Sequence, residues 1–179
     1  MGAGRHATTC TSWNAMVRCG VRLARFQPST RSTSRNRTRP YSARRVVFVR
    51  GPSREGTDDF DLFEFTLRAD GSTTEPLGLP FSGPEYGEGD PQLARDGSFL
   101  IFTRWDHRVG WQQTCDLYLS FRTALGWTEP VPLTELNSPT PDYAAAVSPD
   151  SRWLYYRSAG RYLRRPLKPV LDSALARTR

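Results

Sequence analysis

Equivalent segments recur along this chain at a spacing of 54 residues. Phe48, Phe102 and Tyr156 stand at this interval, each inside an apolar run. The turn pair Asp96-Gly97 is matched in the same way by Asp150-Ser151. Several separate blocks that share one spacing predict a structural unit that is repeated and that packs on its neighbours.

One unit has the pattern of a four-stranded antiparallel meander. The segment 98–104 is β-branched and aromatic with apolar residues on both faces, which predicts a strand buried on both sides. The segment 127–133 contains two prolines, which cannot donate to a ladder, so this strand is predicted at the outer edge of its sheet. The four predicted strands are 92–94, 98–104, 116–122 and 127–133.

A sheet that is apolar on both faces is stable only when other sheets cover it. The sequence therefore predicts an all-β fold, a partial β-propeller of about two to three four-stranded antiparallel blades. A β-sandwich is the main alternative, since it also has short strands at regular spacing, but it does not predict the 54-residue self-similarity. We assign 46–168 to the partial propeller, 1–45 to a disordered tail rich in arginine and serine, and 169–179 to a C-terminal tail. Within this last tail, the segment 169–176 is compatible with a short helix.

Three sequence blocks carry a resemblance to a known family. The segment 146–158 resembles the "SPDG…LYF-S" signature of the WD40-like PD40 repeat, which is found in TolB-type propellers. The segment 93–104 is similar to a second copy, with Ala94-Arg95 in place of Ser-Pro, and 127–130 resembles the "W-x-E-P" element that precedes the signature. The resemblance covers about 46–160 and implies a propeller that binds protein or cell-envelope partners.

The chain offers fewer units than a closed propeller needs. It holds one full unit, most of another before it and the first two strands of a third, whereas closure needs at least about four blades. We interpret the sequence as a propeller fragment, a truncated gene product, or a chain that closes only by self-association. Open sheet edges favour pairing with another chain, so self-association is expected to be possible.

Charge is distributed unevenly along the chain. Residues 1–45 contain ten arginines and no acid, residues 46–160 carry a net charge of −8, and residues 161–179 carry +5. An acidic body repels phosphates, so we expect no nucleic-acid partner. No apolar run is longer than about five residues, so the sequence predicts no membrane-spanning helix.

The N-terminal segment leaves localisation open. Its arginine-rich, acid-free composition fits a transit peptide as well as a wrongly chosen start codon, and it contains no signal peptide. The family resemblance implies a bacterial protein that is periplasmic or exported, which the absence of a signal peptide does not support. We therefore assign no localisation from the sequence.

No catalytic constellation is visible in the sequence. Its histidines are His6 and His107, its three cysteines lack metal-ligand spacing, and the G-x-S-x-G pattern does not occur. We therefore predict a protein that is not an enzyme and that has no cofactor, no metal and no catalytic residue. Three aromatic residues fall in predicted loops, where exposed aromatics are favoured as partner contacts. These candidates are Trp105, Trp111 and Tyr143.

The predicted function is that of a non-catalytic protein-interaction propeller module resembling the TolB-like PD40 repeats. The alternative is the propeller portion of a larger hydrolase, such as a prolyl-oligopeptidase-type peptidase, which would be inert on its own. A decayed product without function is a third possibility, and it predicts poor solubility.

Overall fold

A computed structural model describes residues 44–51 and 60–178, which form three antiparallel sheets and two helices. The helices are α1 (Trp111–Thr114) and α2 (Leu167–Arg177). The strands are β1 (Arg44–Arg50), β2 (Asp61–Leu67), β3 (Leu77–Gly78), β4 (Tyr86–Leu93), β5 (Phe99–Asp106), β6 (Asp116–Thr123), β7 (Gly126–Trp127), β8 (Val131–Pro132), β9 (Tyr143–Val147), β10 (Trp153–Ser158) and β11 (Arg161–Pro166).

The strands pair in chain order, each with the next. The first sheet is β1-β2-β3, the middle sheet is β4-β5-β6 with β7 and β8 both pairing to β6, and the third sheet is β9-β10-β11. The predicted all-β class is confirmed at the level of three antiparallel sheets. The outer strand predicted at 127–133 lies at the edge of the middle sheet, and it is divided into two pairs of residues around Pro130.

Some predicted boundaries were wrong. Strand β1 begins at Arg44, so the first two residues of that strand, assigned to the tail, pair instead with β2. The third sheet contains three strands where two were predicted, because Arg161–Pro166 pairs with β10 along its full length. Among the described residues only the middle sheet is four strands wide, with β7 and β8 together forming its outer strand beside β6. Within this part of the chain none of the three sheets closes on itself. The remaining tail, 1–43, lies outside the described residues.

Two apolar layers hold the sheets together. One layer joins the first and middle sheets and includes Val47, Leu62 and Phe102. The other joins the middle sheet, the third sheet and α2, and it includes Ile101 and Tyr156. Strand β5 is buried from its first residue to its seventh, as predicted for a strand covered on both faces.

The first and middle sheets contain equivalent backbone hydrogen bonds, whose residues are separated along the chain by nearly the 54-residue spacing of the sequence blocks. The backbone N–H of Leu79 donates to the carbonyl oxygen of Leu62 at 2.8 Å. The backbone N–H of Leu133 donates in the same way to the carbonyl oxygen of Leu117 at 2.8 Å. Both N–H donors belong to buried leucines that follow the last paired strand of their sheet.

The turns before β5 and β10 also match. In each turn an aspartate carboxylate accepts the backbone N–H two residues later, at 3.0 Å for Asp96 and 3.1 Å for Asp150. The residue after each aspartate is left-handed, with φ of 75° at Gly97 and 56° at Ser151. The aspartates therefore stabilise turns, as a side chain that bonds its own backbone does.

Helix α2 comprises most of the segment assigned to the C-terminal tail. Its buried residues Leu167, Val170 and Ala174 join the layer between the middle and third sheets. The Arg177 guanidinium donates to the carbonyl oxygen of Pro132 at 3.1 Å. The helix thus packs beside β8 of the middle sheet. In the part of the chain that is described, no helix has the length and apolar character to cross a membrane.

Candidate functional site

An aromatic cavity of about 280 Å³ lies where β4, β5, α1 and β9 come together. All three aromatic residues that the sequence singled out contribute to its wall. The full lining is Phe60, Gly89, Asp90, Thr103, Trp105, Trp111, Cys115 and Tyr143. The structure therefore brings together residues that are up to 83 positions apart in the chain.

Trp105 is not the exposed loop residue that the sequence suggested. It belongs to β5 and is only 9% exposed. Its indole ring packs against the backbone of β4 at Gly87 and Gly89, where a β-carbon would meet the ring. Glycine at position 87 makes room for the ring, whereas a β-carbon at position 89 would meet it at 3.5 Å, an ordinary contact. Trp105 therefore forms a wall of the cavity that the facing strand holds in place.

Trp111 is the exposed member of the three, with 41% of its surface accessible. It begins the short helix α1, inside the segment predicted to be a loop. The Thr114 side chain holds this helix on β5, because its Oγ1 accepts the Asp106 N–H at 3.0 Å. Trp111 meets Tyr143 edge to face, with ring centres 6.3 Å apart. Tyr143 was also predicted in a loop, whereas it is the first residue of β9 and is half-buried.

Two strained backbone positions lie beside the cavity. Asp90 and Ala144 have φ of 46° and 55°, which side chains other than glycine rarely adopt. The two residues are 54 positions apart, and a carboxylate oxygen of Asp90 accepts the N–H of Ala144 at 3.2 Å. Both lie where the first strand of a sheet shifts register against its neighbour, β4 against β5 and β9 against β10. This cross-sheet hydrogen bond holds β4 and β9 together at the cavity wall.

Cys115 lines the cavity with a thiol that is expected to be unreactive. It is 4% exposed, and burial raises the pKa of its thiol to about 12, with the negative charges of Asp90, Asp116 and Asp142 acting in the same direction. A thiol held neutral in this way is a poor nucleophile and a poor metal ligand. Of these three carboxylates, that of Asp90 lies in the cavity wall.

A buried arginine–glutamate pair, which sequence reasoning missed, joins β4 and β5 of the middle sheet. The guanidinium of Arg104 donates to a carboxyl oxygen of Glu88 at 3.1 Å, and both side chains are almost fully buried. Four aromatic rings surround the guanidinium at 4.9 to 5.6 Å from their centres. These rings belong to Phe81, Tyr86, Phe102 and Tyr118. Since Arg104 is enclosed, this pair contributes to packing between the sheets.

Within 44–51 and 60–178, no group of three histidine, cysteine or acidic side chains is placed to hold a metal ion. The chain matches no protein-family model and no curated protein sequence.

Proposed function

We propose that this chain is a non-catalytic protein-interaction module of the propeller type, and that it contacts its partner through the aromatic cavity. The observation that carries the proposal is the convergence of Trp105, Trp111 and Tyr143, from three separate elements, on one cavity. Tryptophan and tyrosine dominate the energetics of protein interfaces because they bury large apolar areas and keep a polar group for hydrogen bonding. In this cavity Trp105 forms a buried wall and Trp111 is exposed, so a partner side chain could enter the cavity and contact both rings.

Recurring geometry supports the propeller-type arrangement and the PD40-like repeat. Val47, Ile101 and Tyr155 stand 54 positions apart, in the middle of equivalent strands. Val47 packs in the layer toward the middle sheet, and Ile101 packs in the layer toward the third sheet. Tyr155 has no further sheet to contact among the described residues and is 41% exposed. The first and middle sheets thus each pack one face against the next sheet, which supports an arrangement like that of propeller blades.

The chemistry of the cavity supports a binding role over a catalytic one. Its only thiol, Cys115, is held in the neutral form, and the carboxylate of Asp90 is engaged with the Ala144 backbone. The histidine of the described part, His107, lies against Trp105 with ring centres 6.4 Å apart and does not line the cavity. Among the residues that line the cavity, no general base lies beside a nucleophile. Nucleophilic catalysis requires such a pair.

Self-association through the open sheet edges stays a prediction. The exposed edge of the third sheet is β11, whose arginines are Arg161, Arg164 and Arg165. Two such edges brought together would place like charges side by side, which opposes strand pairing. Self-association through this edge is therefore expected to increase with ionic strength.

Selection of peptides from a random displayed library tests the proposed function. The purified full chain is expected to enrich peptides that Trp111→Ala no longer binds. Tyr155→Ala is the matched control, because Tyr155 is an aromatic residue of equal 41% exposure outside the cavity. Failure to enrich any peptide, or equal binding by the Trp111→Ala variant, would contradict the proposal.

A further inference from the structure

We infer that the aromatic cavity binds a cationic side chain, the guanidinium of arginine or the ammonium of lysine, presented by a partner peptide. This inference rests on the proposed function, and it specifies the chemistry that the cavity recognises. Four of the eight lining residues are aromatic: Phe60, Trp105, Trp111 and Tyr143. Aromatic faces attract cations through the ring quadrupole, and tryptophan does so most strongly.

The size of the cavity suits a single side chain. Its volume of about 280 Å³ lies just below the range of roughly 300–1,000 Å³ that is typical of small-molecule sites. Trp111 and Tyr143 meet edge to face, so the two rings present surfaces at nearly right angles, 85° apart. A long side chain that enters beside Trp111 can therefore place its charged end against more than one ring.

The charges around the cavity favour a cation and oppose an anion. Asp90 is in the wall, and Asp116 and Asp142 are close enough to the Cys115 thiol to help keep it protonated. A carboxylate in the cavity wall attracts a bound positive charge through its own negative charge. The carboxylate of Asp90 therefore adds an attraction that a neutral aromatic pocket lacks.

One positive charge of the chain itself lies nearby. The guanidinium of Arg157 is 5.3 Å from the ring centre of Tyr143, although Arg157 does not line the cavity. This distance lies within the range of a cation–π contact with the Tyr143 ring. Its charge also repels a second cation, so its removal is expected to strengthen binding.

Four short peptides of the same glycine–serine background test the inference. Their central residues are arginine, citrulline, lysine and norleucine, so that each cation has a neutral counterpart of similar shape. Binding to the full chain is followed by NMR, through the indole N–H signal that is lost in Trp111→Phe. The arginine and lysine peptides are expected to bind at least about tenfold more tightly than their neutral counterparts.

Three variants separate a cation site from a merely apolar pocket. Asp90→Asn keeps an oxygen acceptor for the Ala144 N–H, and asparagine tolerates the left-handed backbone. It is expected to weaken the arginine peptide several-fold and to leave the citrulline peptide unchanged. Arg157→Gln is expected to strengthen the arginine peptide about two- to fivefold, and Tyr155→Ala to leave it unchanged.

The outcomes distinguish this inference from the proposed function. If the citrulline and norleucine peptides bind as well as the cations, or if neither cation binds, the inference is wrong. The proposed function survives that result when library peptides without arginine or lysine still depend on Trp111. It fails as well only when no peptide of any kind depends on Trp111.

Discussion

The backbone of Gly87 lies directly against the indole ring of Trp105, its cross-strand partner in the β4–β5 ladder. A β-carbon built on residue 87 would overlap Cε2 and Cζ2 of that ring. The position of Trp105, and with it one wall of the aromatic cavity, therefore depends on the absence of a side chain in the facing strand.

Replacing Gly87 with alanine is expected to destabilise the fold by about 1–3 kcal/mol, the usual penalty for forcing an extra methyl group into a packed site. The free energy of unfolding is measured by urea denaturation. Gly83→Ala is the matched control, because a β-carbon there meets no atom within 4 Å. Equal stability of the two variants would show that Trp105 is free to shift.

The two strands joined by the Gly87–Trp105 contact differ in how well the sequence predicted them, β5 well and β4 poorly. Strand β5 carries apolar side chains on both faces, so its pattern alone indicates a buried strand. Strand β4 extends over Tyr86–Leu93, but the predicted segment 92–94 covers only its last two residues, because Gly87, Gly89 and Pro91 are poor strand formers. Pairing with β5 and contact with Trp105 override that preference, and neither is visible in local sequence.

The candidate site was predictable in residue type but not in geometry. Aromatic residues outside the predicted strands pointed to Trp105, Trp111 and Tyr143. Their convergence depends on the register shifts in β4 and β9 and on the left-handed backbone of Asp90 and Ala144. A left-handed aspartate or alanine is imposed by the surrounding structure, so the sequence contains no signal for it.

Glu64 links the first and middle sheets and predicts stability that is lost in acid. Its carboxylate accepts bonds from Arg122 at 3.1 Å and from the Trp127 indole N–H at 3.2 Å. Burial raises the pKa of Glu64, but the hydrogen bonds from Arg45, Trp127 and Arg122 outweigh it and lower the pKa below its usual value of 4.5. The stabilisation is therefore present above about pH 4.5 and disappears as pH falls through the folded-state pKa.

Glu64→Gln is expected to lower the free energy of unfolding by about 1 kcal/mol at pH 7, the net contribution of a typical hydrogen bond. The difference from the unsubstituted chain should shrink toward pH 3, which urea denaturation at several pH values measures. Asp172→Asn is the control, because its pair with Lys168 is exposed and contributes little. A difference that is constant with pH would contradict an ionic role for Glu64.

The buried carboxyl group of Glu88 is expected to make the free energy of unfolding fall, rather than rise, as pH increases. Burial raises the pKa of this carboxyl to about 7, against the lowering effect of the Ser82 hydroxyl and of Arg104. The folded state therefore holds a proton that the unfolded state releases near pH 4.5, so stability is lost as pH rises through the interval from 4.5 to 7. The loss is expected to reach roughly 3 kcal/mol at most. Glu88→Gln should flatten the dependence of stability on pH in this interval, and an unchanged slope would assign it to another group.

Cys115 predicts a thiol that is nearly unreactive until the chain unfolds. Its pKa of about 12 lies three units above the usual 9.0, so the thiolate fraction at pH 8 falls about a thousandfold. We expect a variant with Cys10→Ser and Cys19→Ser to react with a disulfide reagent at least that much more slowly when folded than in urea. The indole of Trp111 lines the same cavity, so Trp111→Ala should increase the folded-state rate while Tyr155→Ala leaves it unchanged. Rapid labelling of the folded Cys10→Ser, Cys19→Ser variant, with Trp111 and Tyr155 intact, would contradict this prediction. It would show that the cavity wall opens and that the thiol is not held in its neutral, buried form.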